Sequence, residues 1–186
     1  MGVARPGPTP VTRARGPQEY EVRSLTMDRE QLKTTIVEYL RKHYGGTLAT
    51  TREDGSPQAS GITYVSDGLL VYFAMDPQSY KKMNVDRNPA VGLAVFKDYY
   101  RWDKARGVQL GGRCEIVTDK DEIAKIEGLL VEKYPWVVTY AGVMEWAARV
   151  GPVPYYRITP TTIAYLDYQR FGFNGYEVYV PGDGDL

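Results

Sequence analysis

The sequence predicts a mainly β protein, a small closed barrel with peripheral helices. Three observations carry that expectation. The apolar runs at 69–75 and 90–96 are short, aromatic or β-branched, and bounded by Gly, Pro, Asn or Asp, as buried strands are. Asp54-Gly55 and Asp67-Gly68 place turns at strand spacing, where the backbone needs positive φ. Six or so strand-like segments stand against few helical ones, which favours a sheet closed on itself.

The elements follow in order. Asp28 with Gln31 resembles a capping box, and Leu32, Ile36, Val37 and Leu40 share one face of a helix that stops at Gly45-Gly46. Residues 47–52, 58–65 and 69–75 then read as a three-stranded meander. The connector 76–89 carries a short helix, with Ser79 as N-cap and Asn88-Pro89 as stop. A strand at 90–96, a charged aromatic loop at 98–107 and a long strand at 108–117 come next. Asp119 with Glu122 opens a second helix, whose face of Ile123, Ile126, Leu130 and Tyr134 runs to Pro135. A weaker helical stretch covers 138–150. Two final strands near 155–159 and 161–167 precede an aromatic, Gly-rich tail. Residues 1–25, rich in Pro, Gly and Arg at their start, are expected to be a disordered extension before one domain at 26–186.

Composition narrows the function classes. Lys+Arg 23 balances Asp+Glu 23, so no global field draws the chain to nucleic acid or an anionic membrane. Cys114 is the single cysteine and His43 the single histidine, which excludes an intramolecular disulfide, a Cys-based zinc cluster and a His-rich metal site. No apolar run approaches the ~18 residues of a membrane span. The N-terminus lacks the apolar core of a signal peptide, so the expected location is cytoplasmic.

The connector holds the sharpest chemical signal. Ser79, Lys81 and Lys82 put a hydroxyl, two ammonium groups and free N–H groups at one helix start, a cluster suited to a phosphate monoester. A Lys pair on an exposed helix is also common as a solvated face, and spacing leaves both readings open.

Order and residues together resemble the pyridoxamine 5′-phosphate oxidase-like group of flavin-binding split barrels. The pattern comprises Leu48-Ala49-Thr50 through Asp54-Gly55-Ser56-Pro57, the strand ending at Ala74-Met75, Ser79, Lys81 and Asn84 before Asn88-Pro89, and Gln109-Leu110-Gly111-Gly112. The resemblance covers roughly 31–167 and implies a six-stranded antiparallel split β-barrel that binds FMN at a homodimer interface. It implies that Ser79, Lys81 and Lys82 hold the phosphate and that Ser60, Gly61, Ile62 and Thr63 run along the ring and ribityl chain. Ala74 and Met75 would then offer backbone contacts, and Gln109 an amide to the ring edge. Departures matter too. Tyr80 and Ser60 stand where the true oxidases carry Arg, and their C-terminal Trp, Arg and His signature is missing, so oxidation of pyridoxamine phosphate is not expected.

Tyr99, Tyr100 and Trp102 are loop aromatics that either wall a substrate pocket or pack on the barrel mouth, and Tyr168, Phe171 and Phe173 stand likewise. Arg101, Lys104 and Arg106 form a basic cluster beside them, fit for an anionic tail or a solvated face. No side chain reads as a general acid or base. The leading expectation is an FMN-dependent oxidoreductase acting on a small organic substrate, whose redox chemistry belongs to the flavin. The alternatives are a deazaflavin-dependent reductase on the same fold and a non-enzymatic flavin or haem binder.

Overall fold

Capping and apolar spacing start the first helix where the sequence places it. In the computed structural model, which describes residues 26–151, 153–173 and 175–186, helix α1 (Arg29–Lys42) begins at Asp28, whose Oδ1 accepts from Gln31 N at 2.8 Å. Its buried face is Leu32, Ile36, Tyr39 and Leu40. The expected extension at 1–25 lies outside the described residues.

Among the described residues, eight strands form one antiparallel sheet: β1 (Gly45–Thr51), β2 (Pro57–Thr63), β3 (Val65–Asp67), β4 (Leu70–Ala74), β5 (Ala90–Phe96), β6 (Arg106–Ile116), β7 (Tyr155–Asp167) and β8 (Tyr176–Tyr179). Their order is β2-β1-β5-β6-β7-β4-β3, with β8 paired to β7. The edge strands β2 and β3 are consecutive in the chain, so the sheet curls back on itself around the core. The mainly β split-barrel expectation holds in this form, with eight strands rather than six.

Two local expectations are corrected. The meander at 47–75 does not form, because the second strand turns at Tyr64. That side chain is fully buried and its hydroxyl donates to Leu40 O at 2.9 Å, which sends β3 to pair with β4 at the far edge of the sheet. The last two strands are one, β7, running through Pro160. Partner register jumps from Gly111↔Thr162 to Gly112↔Pro160, leaving Thr161 as the extra residue of a bulge. A proline lacks a ladder donor, and a bulge is where a strand tolerates that.

Helices α2 (Tyr80–Arg87), α3 (Lys120–Lys133) and α4 (Ala141–Val150), a 3₁₀ turn at Pro135–Val138 and the single turn α5 (Tyr168–Phe171) decorate the sheet. One core fills the curl, with Ile36, Leu40, Leu48, Leu69, Val71, Met75, Val95, Val108, Ile158 and Ile163 closed to solvent. A second packs α3 on the β3–β4 edge through Val65, Tyr72, Val117, Ile126 and Tyr134. The opposite face of the sheet is built from small residues. Gly61, Thr47, Ala94, Gln109 and Ala164 are successive partners across five strands, and Ala59, Ala49, Gly92, Gly111 and Thr162 form the next row. All ten are exposed or half-buried. A clasp joins the first helix and the residue before its cap to β8 and the segment after it. Arg29 and Lys33 both reach Asp185, at 2.6 and 2.7 Å, and Met27 N donates to Glu177. Backbone N–H donation from Gly182, with the Lys33 bond, holds the Asp185 carboxyl well below the usual carboxylate range. Among the described residues no helix is long and apolar enough to cross a membrane.

Candidate functional site

The ends of β2 and β4 open on a largely apolar cavity of about 790 Å³. Thr63 and Ala74, both exposed, form its sheet wall with Val117 and Tyr155. Helix α3 adds Ile123, Glu127 and Leu130, the 3₁₀ turn adds Trp136 and Val137, and α4 closes the far side with Val143 and Ala147. Glu127 is the one ionisable carboxylate on this wall. Burial pushes the Tyr155 hydroxyl above its ordinary range, with the Glu127 charge adding to it.

Thr63 and Ala74, both named through the resemblance, line this one cavity. Ser60 and Gly61 precede Thr63 along β2, while Ile62 and Met75 turn into the core. Cavity residues of α3, the 3₁₀ turn and α4 were not foreseen. The spacing of Val143 and Ala147, four apart on one helix face, was the signal available.

Helix α2 carries the proposed phosphate cluster. Ser79 caps it, its Oγ donating to Asp76 O at 2.8 Å and accepting from Lys82 N at 3.4 Å. The first N–H groups of the helix have no intrahelical acceptor. Lys82 donates to Asp86 at 2.5 Å, and that bond raises its pKa above the ordinary ammonium value. Lys81 forms no ion pair among the described residues. Buried Asn84 fixes the helix, its amide donating to Thr50 Oγ1 and to Gln58 Oε1, both at 3.0 Å. Asn84 thus ties the helix to β1 at Thr50 and to the beginning of β2 at Gln58.

Gln109 stands apart. It lies on β6 in the same row as Gly61, with β1 and β5 between them, about 14 Å at three inter-strand steps. Trp102 and Tyr168 pack around Phe173, with ring centroids at 6.1 and 5.5 Å, and neither lines the apolar cavity. Tyr99 lines a separate cleft of about 350 Å³.

A curled antiparallel sheet flanked by helices, with a cleft at the ends of β2 and β4, defines a split barrel. The chain belongs to the pyridoxamine 5′-phosphate oxidase-like family: that family's sequence model, described as pyridoxamine 5′-phosphate oxidase, matches residues 32–167. General stress protein 26 of Bacillus subtilis (strain 168) is 25% identical over 108 residues, 58% of this chain and 76% of that protein. A conserved hypothetical protein of Mycobacterium tuberculosis shares the fold with TM-score 0.65 and 22% identity, covering 87% of this chain and 96% of that one. A heme binding protein of Mycobacterium smegmatis does so with TM-score 0.62 and 16% identity over 80% of this chain, which spans only 56% of that protein's length.

Proposed function

We propose that this protein is an FMN-dependent oxidoreductase acting on a small organic substrate, with flavin held between two copies of the chain. The observation that carries the reading is the cavity at Thr63 and Ala74. Its volume, about 790 Å³, lies within the ~300–1,000 Å³ of small-molecule sites, and its apolar lining suits a flat ring. Small side chains at Thr63 and Ala74 leave room for a ring against the strand ends, so the residues present fit the group.

In this reading Ser79, Lys81 and Lys82 hold the phosphate. Residues 60–63 follow the ribityl chain and ring, and Ala74 and Met75 contribute backbone. When bound, the flavin supplies hydride or electron acceptance. The chain's own part is orientation and exclusion of water, through Leu130, Trp136 and Val143. Gln109, about 14 Å from Gly61, meets the same ring only when a second copy supplies it. The Gly- and Ala-rich rows on the outer face support that dimer, since they let another backbone approach closely.

The test is mass spectrometry of small molecules released from the heat-denatured protein, followed by titration of the stripped protein with FMN. Release or saturable uptake of FMN near one per chain is expected, with turnover of a reduced donor faster than in free solution. Deazaflavin in its place would transfer the reading to a deazaflavin-dependent reductase. Haem, the ligand named for the Mycobacterium smegmatis protein, would transfer it to a non-enzymatic binder.

A further inference from the structure

A second cleft, sharing no residue with the apolar cavity, lies where the end of α1 meets the β5–β6 loop. It encloses about 350 Å³. Lys42, Lys97, Lys104 and Arg106 converge on it, beside Tyr39 and Tyr99. The first three lysines form no ion pair among the described residues. His43, Gln169 and Asp98 add polar groups to its lining, and Asp98 is the lone carboxylate there. Arg106 is preset from behind: buried Asp167 accepts from its Nε at 3.0 Å. The Tyr39 hydroxyl fixes the far end of the loop, donating to Arg106 O at 2.9 Å.

A solvated cationic face is the ordinary explanation of surface lysines. Here it meets two obstacles. The chain carries equal numbers of acidic and basic residues, 23 of each, so four cations against Asp98 and Asp167 are a local concentration. They also surround a concave space, where like charges repel until an anion relieves them.

We propose that this cleft binds a small oxyanion carrying two or more negative charges, a phosphate or a polycarboxylate, independently of the phosphate cluster on α2. The lysines supply charge, and Arg106, already oriented by Asp167, supplies a directional fork. Tyr99 offers a flat wall for whatever body the anion is attached to.

The test is calorimetric titration of the full chain with pyrophosphate and, separately, with citrate, at low and high salt. Saturable binding that weakens with salt is expected for at least one probe, and the preference between them identifies the phosphate or carboxylate source. The triple variant Lys42→Gln, Lys97→Gln, Lys104→Gln should weaken it at least about tenfold. The single variant Lys104→Gln should weaken it by a smaller factor, and serves if the triple variant does not fold. The double variant Lys81→Ala, Lys82→Ala should leave it unchanged. No saturation by either probe would overturn the proposal. So would unchanged affinity in the cleft variants, or an equal loss in the α2 variant, which would move the anion to the helix start. FMN uptake reads out the α2 site separately, so either reading can fail alone.

Discussion

Lys133 offers the most quantitative test of the packing. Its Nζ sits 4.1 Å from the Tyr64 ring centroid and 5.9 Å from those of Tyr44 and Tyr134, and donates to Leu40 O at 3.2 Å. It forms no ion pair among the described residues, and the nearby Asp67 is taken by Lys125. Burial pushes its amine down from 10.5 to about 8. At 1.36 kcal/mol per decade that is about 3 kcal/mol against the charged form. Between the two values the unfolded chain holds the proton and the folded chain has lost it, so stability rises with pH. The penalty is complete below about 8 and disappears as pH approaches 10.5. Lys133→Met keeps the apolar stem and removes the titration. Urea unfolding of both proteins at about pH 7 and about pH 9.5 should show wild type gaining about 2 kcal/mol on the variant. Parallel behaviour at the two pH values would refute the claim that this ammonium is desolvated.

Four further outcomes are expected. Lys81→Ala with Lys82→Ala should cost about 2–5 kcal/mol of FMN affinity by fluorescence titration, and an unchanged value would place the phosphate elsewhere. Ala147→Trp should fill the apolar cavity and weaken flavin uptake at least about tenfold without unfolding the barrel; undiminished uptake would show that the ring lies outside it. Gly112→Ala would put a Cβ 2.5 Å from Thr159 O and 2.9 Å from Pro160 Cα, both backbone, and should destabilise by about 1–3 kcal/mol in urea. Cys114, its thiol pushed up to about 12 by burial, should resist a thiol reagent near pH 8 until urea opens the fold.

How far the fold could be read depends on what local sequence encodes. Residues 69–75 were legible because both sides of β4 are buried: Val71 and Phe73 face the curl while Tyr72 faces α3, which leaves a continuous apolar run. Pairing was not legible. Nothing at Tyr64 marks a turn, since it is neither Gly nor Pro, and its role follows from a hydroxyl bond to a helix 24 residues earlier. Pro160 read as a break because proline interrupts a ladder, but the bulge opposite Gly111 and Gly112 absorbs it. At the site, Thr63 and Ala74 were named only through the family resemblance, whereas the α2 cap was readable because Ser79 sits at an element start with its own signal. The helical wall was not, since Trp136 and Val143 acquire meaning only when α3 and α4 fold over strand ends far away in sequence. Gln109 was named through the same resemblance, and its distance from Gly61 is set by strand order.

The clasp between α1 and Asp185 bears on how the molecule is made. Arg29 and its partner Asp185 lie 156 positions apart. At the ~5–20 residues per second of synthesis, the helix leaves the ribosome on the order of ten seconds before its counter-charge exists. During that interval its apolar face needs the sheet, whose β7 strand is also late to arrive. Completion of the architecture is therefore paced by translation of the distal segment, and a ribosome stalled before it would hold a nascent chain with an exposed amphipathic helix, the kind of surface chaperones engage.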